Sequence, residues 1–225
     1  MAAAAERWLE AVWPVVRGWL PAPPARVLEI GCGPHGGIVP RLSSTGYDVI
    51  GVDPDAPEGV EYRASQFEHA DLEPGLDVVV ASTSLHHVAD PAEVIGRIAS
   101  VLADAGIVVV VEWAWEDFDE PTARWCFARL GPAEDAGWLR RRRDDWLASG
   151  QAWEAYLRGW AERERVHGST VLLRLLDRSF DRQHLARGAY VFPDLAGTSE
   201  EDELEAIEAG EIRAMRVDYV GRVRR

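Results

Sequence analysis

The 225-residue sequence contains no lysine and no asparagine. Without lysine there is no Schiff-base chemistry with pyridoxal phosphate and no phosphate-binding lysine of the Walker type. Cysteine is scarce. Cys32 and Cys126 form no metal or redox motif, and iron–sulfur chemistry would need more of them. The basic residues are all arginine, 24 against 38 acidic ones, and the formal net charge is −14. General nucleic-acid binding and adhesion to acidic membranes are disfavoured, because both need a basic face. No apolar run is long enough to span a bilayer, and residues 1–7 show no basic-then-apolar signal pattern. The expectation is a soluble cytoplasmic protein. No cluster with metal-ligand spacing is visible, so no metal is expected.

What is present is organised around residues 27–37, Val-Leu-Glu-Ile-Gly-Cys-Gly-Pro-His-Gly-Gly. An apolar strand runs into a glycine turn, where the backbone can adopt conformations closed to other residues and approach a ligand closely. A second apolar strand, 47–52, ends at Asp53, twenty-two residues after Gly31. A glycine turn and a carboxylate at the ends of adjacent strands suit a nucleoside: backbone over its charged arm, carboxylate on its ribose.

Around this stretch the chain alternates strands and helices. Residues 6–20 read as an amphipathic helix that Pro14 kinks or splits. Its tryptophans either pack it on the domain or form the inner face of a lid. A short helix with Ile38, Val39 and Leu42 ends at Gly46. Residues 60–65 read as strand three and 76–82 as a buried strand four. Asp90 caps a helix with Pro91 at its first position and Gly106 stops it. Strand five, 107–111, is continuous in β-branched residues and ends at Glu112. This alternation predicts a doubly wound, Rossmann-like parallel sheet whose ligands bind beyond the carboxyl ends of the strands. From 117 to 166 the texture becomes helical and rich in tryptophan. The arginines at 140–143 read as a solvated or salt-bridged helix face. Ser169 is placed as the cap of a further helix, 182–192 as a strand, 199–209 as an acidic helix and 212–220 as the last strand.

Residues 31–36 satisfy the G-x-G-x-x-G spacing of NAD-binding domains, which alone is weak. Glu29 inside the strand and the altered turn at Pro34 and Gly36-Gly37 argue against NAD. The stretch Val-Leu-Glu-Ile-Gly-Cys-Gly at 27–33 resembles the first motif of class I S-adenosylmethionine-dependent methyltransferases. Gly51-Val52-Asp53 resembles their second. Residues 77–88, the Asp90-Pro91 helix and residues 105–112 resemble the small-molecule, type 11 subgroup. The resemblance covers roughly residues 25–115. It implies a seven-stranded sheet whose last strand is antiparallel, within a single domain spanning 1–225. An N-terminal helical lid would occupy 1–24, a cofactor-binding core 25–116, a helical insert 117–168 and the completion of the sheet 169–225.

The resemblance also implies S-adenosyl-L-methionine as cofactor. Gly31, Cys32 and Gly33 would lie in the turn under its methionine part. Glu29 would order that turn or reach the amino group, and Asp53 would bind both ribose hydroxyls. The family's acidic residue at the adenine amino group falls on Gln66, a departure whose carbonyl can still accept the bond. Phe67 would pack on the adenine and Ser82 would lie near the methionine end. Methyl transfer needs a positioned nucleophile and, for oxygen or carbon acceptors, a base. The candidates are His87, next to His86 after strand four, and His167, with Glu112 at the end of strand five. His35 belongs to the cofactor turn. Absent asparagine removes the Asn-Pro-Pro-Tyr signature of adenine N6 and glutamine enzymes, and absent lysine the tetrad of ribose 2′-O enzymes. The remaining expectation is methyl transfer to a small molecule with apolar or aromatic area that meets the tryptophan-rich helical elements around the site. An NAD(P)-linked enzyme, or a cofactor-binding protein of this fold without methyl transfer, are the alternatives.

Overall fold

The computed structural model describes residues 2–132 and 137–224. Its centre is a seven-stranded sheet in the spatial order β3-β2-β1-β4-β5-β7-β6. The strands are β1 Arg26–Ile30, β2 Asp48–Asp53, β3 Tyr62–Ala64, β4 Leu76–Ser82, β5 Leu102–Trp113, β6 Phe180–Gly188 and β7 Arg216–Val223. All neighbours up to β5 pair in parallel, while β7 runs antiparallel to both β5 and β6. The fold class is therefore the doubly wound sheet with an antiparallel last strand that the sequence predicts.

The apolar residues of alternating strand positions feed two layers. Leu28, Ile30, Val79, Val108 and Val110 face α3 (Pro91–Val101) and α7 (Ser169–Ser179). Val27, Val78, Val80, Val109 and Val111 face α1 (Ala2–Arg17) and α2 (Val39–Ser44). Burial on both faces is why these strands are nearly all valine, leucine and isoleucine. A third cluster lies beyond the end of β5. There Trp113 and Phe118 meet α4 (Glu120–Phe127), α5 (Trp138–Ser149) and α6 (Trp153–Glu164). The acidic helix α8 (Glu200–Glu208) precedes β7.

Several boundaries differ from the sequence expectation, each for a local reason. The first helix is continuous through Pro14, which is exposed, so water can satisfy the carbonyl its missing N–H leaves open. Helix α3 ends at Val101, before Gly106. Gly106 instead lies in β5, inside the stretch between Leu102 and Ile107 where the register with β4 is irregular. The strand expected at 182–192 stops at Gly188, because the N–H groups of Tyr190, Val191 and Phe192 donate to the buried carboxylate of Glu203 rather than to a neighbouring strand. The last strand starts at Arg216 rather than 212, since the Arg213 N–H is taken by the Thr122 hydroxyl. Ser169 is the first residue of α7. The Glu116 carboxylate caps that helix, accepting from the Ser169 hydroxyl at 3.0 Å and the Thr170 N–H at 2.9 Å.

The pairing positions the site. Ile30 lies opposite Val52 on one side and Ala81 on the other, and Ser82 opposite Val111. Gly31, Asp53, Ser82 and Glu112 thus emerge at nearly one level at the carboxyl edge. Here β1 is flanked by β2 and β4, the point where strand order reverses and where such sheets bind ligands.

Candidate functional site

A cavity of about 890 Å³ opens at this edge. Gly31, Asp53, Gln66, Phe67, His87 and His167 all line it. Glu29, Cys32, Gly33 and Ser82 do not.

Gly31 ends β1 with φ of +82°, and its N–H donates to the Val52 carbonyl at 2.8 Å. A Cβ there would stand 2.5 Å from the Ser84 Cβ. Only glycine fits, on conformation and on space. Asp53 closes β2. Its Oδ1 accepts the Asp55 N–H at 2.8 Å, which orients the carboxylate and leaves Oδ2 without a partner among the described residues. Gln66 is exposed in the loop after β3, its amide available to the cavity. Phe67 is buried beneath the Arg97 guanidinium, 5.4 Å from its ring centroid, and shows only part of its ring to the cavity.

The residues outside the cavity wall hold the turn. Glu29 is 1% exposed and its carboxylate accepts the Ile38 N–H at 2.9 Å, at the entrance to α2. It is committed to the glycine turn, packed against Gly37. Burial, opposed by hydrogen bonds from the Ile38 and Val39 N–H groups and reinforced by the charge of Asp53, pushes its pKa up to about 8. The folded protein therefore keeps a proton that the unfolded chain releases between about pH 4.5 and 8. Stability contributed by this group is complete below that window and is lost as pH rises through it. Thermal melts from pH 5 to 8.5 should show Glu29→Gln losing less stability with rising pH than the wild type, by on the order of a few kcal/mol. Parallel curves would show that Glu29 is ionised throughout.

Cys32 is buried with its sulfur against Gly51, and burial first, then the charges of Glu29 and Asp53, push its thiol up to about 12. It is a packing residue of the turn rather than a nucleophile. Gly33 has φ of +62° and open space around it. The Ser82 hydroxyl accepts the Trp8 indole N–H at 3.2 Å, so α1 reaches the end of β4. Trp8 also meets the Tyr190 ring edge-on at 5.1 Å.

The two histidines come together from distant segments. His87 lies on the one-turn helix Leu85–His87, and burial together with neighbouring His86 pushes its pKa down, against the charges of Glu112 and Glu164. His167 precedes α7. Its Nε2–H donates to the Val88 carbonyl at 2.9 Å and its backbone N–H to the His86 carbonyl at 2.9 Å.

Sequence reasoning placed Ser84 after strand four and Trp115 after strand five without giving either a role, and missed Arg158 and Arg165 in the cavity wall. Nothing in the local pattern marks the arginines: Arg158 lies midway along α6 and Arg165 directly follows its last residue, both exposed. Among the described residues, the two non-glycine residues with left-handed backbone, Thr83 (φ +49°) and Arg165 (φ +55°), both line this cavity. Such strain persists where surrounding contacts over-determine it, and it concentrates at functional sites. Among the described residues, Phe67 and Trp115 are the aromatic rings other than histidine in the cavity lining, so the tryptophans of α5 and α6 do not form its wall. Trp146 and Trp153 stack edge-on at 5.2 Å and Trp153 on Phe118 at 5.0 Å, so these rings pack on one another.

A family model described as Methyltransferase domain matches residues 2–186. A curated relative, the ubiquinone biosynthesis O-methyltransferase of Bradyrhizobium sp. (strain ORS 278), is 29% identical over 136 residues, covering 54% of this chain and 51% of the relative. The chain thus spans about half the length of the curated relatives it matches. Among solved structures, an S-adenosylmethionine-dependent methyltransferase from Mesorhizobium loti aligns with a TM-score of 0.57 at 20% identity, covering 95% of this chain and 99% of that one. The N-methyltransferase NodS from Bradyrhizobium japonicum, solved with S-adenosyl-L-homocysteine, aligns with a TM-score of 0.56 at 14% identity, covering 96% and 87%.

Proposed function

The chain belongs to the methyltransferase domain family with the class I S-adenosylmethionine-dependent fold, and from that premise we propose that it transfers a methyl group from S-adenosyl-L-methionine to a small-molecule acceptor. The observation that carries this reading is the pairing of Gly31, whose added Cβ would collide with Ser84, with the half-free carboxylate of Asp53 across the strand-order reversal. A cradle only glycine can form, beside a carboxylate with an open oxygen, fits an adenosyl ligand.

On this reading Asp53 Oδ2 holds the ribose hydroxyls, the Gln66 amide meets the adenine edge, and Phe67 contributes apolar wall. Glu29, Cys32 and Gly33 keep the turn in shape, and Ser82 fixes Trp8 at the methionine end. The bound cofactor supplies an electrophilic methyl on a sulfonium, a good leaving group. The chain's part is to orient the acceptor, exclude water and take a proton. His87 is suited to the last, because burial keeps its imidazole neutral at neutral pH, and His167 stands beside it as the second candidate. The N-terminal segment 1–24 reaches the methionine end through Trp8 on Ser82, and Trp115 together with Arg158 and Arg165 of the segment 117–168 walls the acceptor side. A cytoplasmic setting belongs to the same reading; among the described residues no helix is long and apolar enough to cross a membrane.

The curated relatives are named O-methyltransferases, which makes hydroxyl groups the first acceptors to test. Incubating the protein with methyl-tritiated S-adenosylmethionine and a panel of catechols, hydroxybenzoates and amines should release S-adenosylhomocysteine and label at least one product. S-adenosylhomocysteine binding without any turnover across the panel would favour a cofactor-binding protein that transfers no methyl group.

A further inference from the structure

Glu112 is the penultimate residue of β5 and is 2% exposed. The methyl-transfer reading gives it no task, yet its carboxylate is saturated. Oε1 accepts the Ser84 N–H at 2.9 Å and the Leu85 N–H at 2.6 Å. Oε2 accepts the Trp113 N–H at 3.1 Å and meets His86 Nδ1 at 2.6 Å. With three backbone N–H groups donating to it, the carboxylate serves as the acceptor throughout, and in the same arrangement His86 donates to Oε2 through Nδ1–H.

The segment this carboxylate grips is the wall of the cavity. Thr83 leaves β4 in the left-handed region, a conformation that needs support from its surroundings. Ser84 packs where a Gly31 side chain would be, and its hydroxyl donates to the Ile30 carbonyl at 3.2 Å. The His87 N–H closes the turn on the Ser84 carbonyl at 3.2 Å. His86 and His87 have ring centroids 4.1 Å apart, and the His86 carbonyl receives the His167 N–H. Ser84 against the glycine turn, His87 in the cavity and His167 beside it therefore share one anchor.

We propose that Glu112 is a positioning residue: its buried carboxylate sets the turn at 84–87 and, through the His86 backbone, brings His87 and His167 together in the cavity wall. A buried charge is costly unless fully hydrogen-bonded, and its usual return is a unique geometry rather than stability. A glutamine could keep the bonds to Ser84 and Leu85. Its amide N–H₂ would then oppose two donors, the Trp113 N–H and His86 Nδ1–H. The relevance of the two histidines rests on the methyl-transfer reading, whereas the placement itself can be observed without turnover.

The test is NMR of the full chain labelled with ¹⁵N-histidine, with and without S-adenosylhomocysteine. The wild type should show one imidazole in the Nδ1–H form with a strongly deshielded, slowly exchanging proton. Glu112→Gln should lose that signal and shift the His87 and His167 resonances together. Loss of the signal with His87 and His167 unmoved would overturn the proposal, since Glu112 would then hold His86 alone. Should Glu112→Gln fail to fold, His86→Gln decides. It leaves the carboxylate's backbone bonds intact, so the His167 resonances should keep their wild-type positions; their displacement would mean that the His86 ring, not the anchored turn, places His167. S-adenosylhomocysteine that moves no wild-type histidine signal would count against the methyl-transfer reading and leave the role of Glu112 standing.

Discussion

Replacing Gly31 with alanine is expected to lower stability and cofactor affinity together. The glycine sits at φ +82°, where an L side chain costs roughly 1–2 kcal/mol. The new Cβ would also meet the Ser84 Cβ at 2.5 Å and the Ser84 hydroxyl at 3.1 Å. Ser84 cannot simply retreat, because the Glu112 carboxylate holds its N–H from the other side. Overpacking at a fixed site adds about 1–3 kcal/mol. For a domain of this size a loss of this order lowers the melting temperature by roughly 4–15 °C. Binding pays again if the cavity wall has to yield: about 2 kcal/mol of distortion weakens S-adenosylhomocysteine roughly 30-fold. An alanine variant with wild-type melting temperature and affinity would show that the turn does not form the cavity floor.

Asp53→Ala is expected to separate the two effects. Asp53 is partly exposed and its carboxylate's one hydrogen bond among the described residues is from the Asp55 N–H, so stability should change by less than about 1 kcal/mol. If it holds the ribose as proposed, the substitution removes charge-assisted bonds to two hydroxyls, about 3 kcal/mol and so about 100-fold in affinity. Asp53→Asn keeps the Oδ1 acceptor and should fall between. The combination of a stable fold and lost binding is the signature of a ligand contact. Equal affinity in wild type and Asp53→Ala would place the ribose elsewhere.

The part of this protein legible in its sequence is the part held by local pattern. Valine runs announce β4 and β5, and Asp90 announces α3, whose Ala92 and Glu93 N–H groups its carboxylate accepts at 2.9 and 3.1 Å. Gly31 and Asp53 were readable because strand ends in parallel sheets share a level. What was not legible depends on carboxylates acting at a distance. Glu203 ends β6 early by taking three N–H groups from residues 190–192. Glu116 caps a helix fifty-three residues on, and Glu112 anchors a turn behind it in the chain. Their spacing repeats in no pattern, so only the folded chain reveals them. The tryptophans of α5 and α6 misled for a related reason. An amphipathic face shows that a helix buries one side, and here that side meets other rings rather than a ligand.

The most direct measurement is calorimetric titration of the wild-type protein with S-adenosylhomocysteine and, in parallel, with NADH. The account predicts saturable binding of S-adenosylhomocysteine at one site and no binding of NADH. Saturable NADH binding with none of S-adenosylhomocysteine would contradict it.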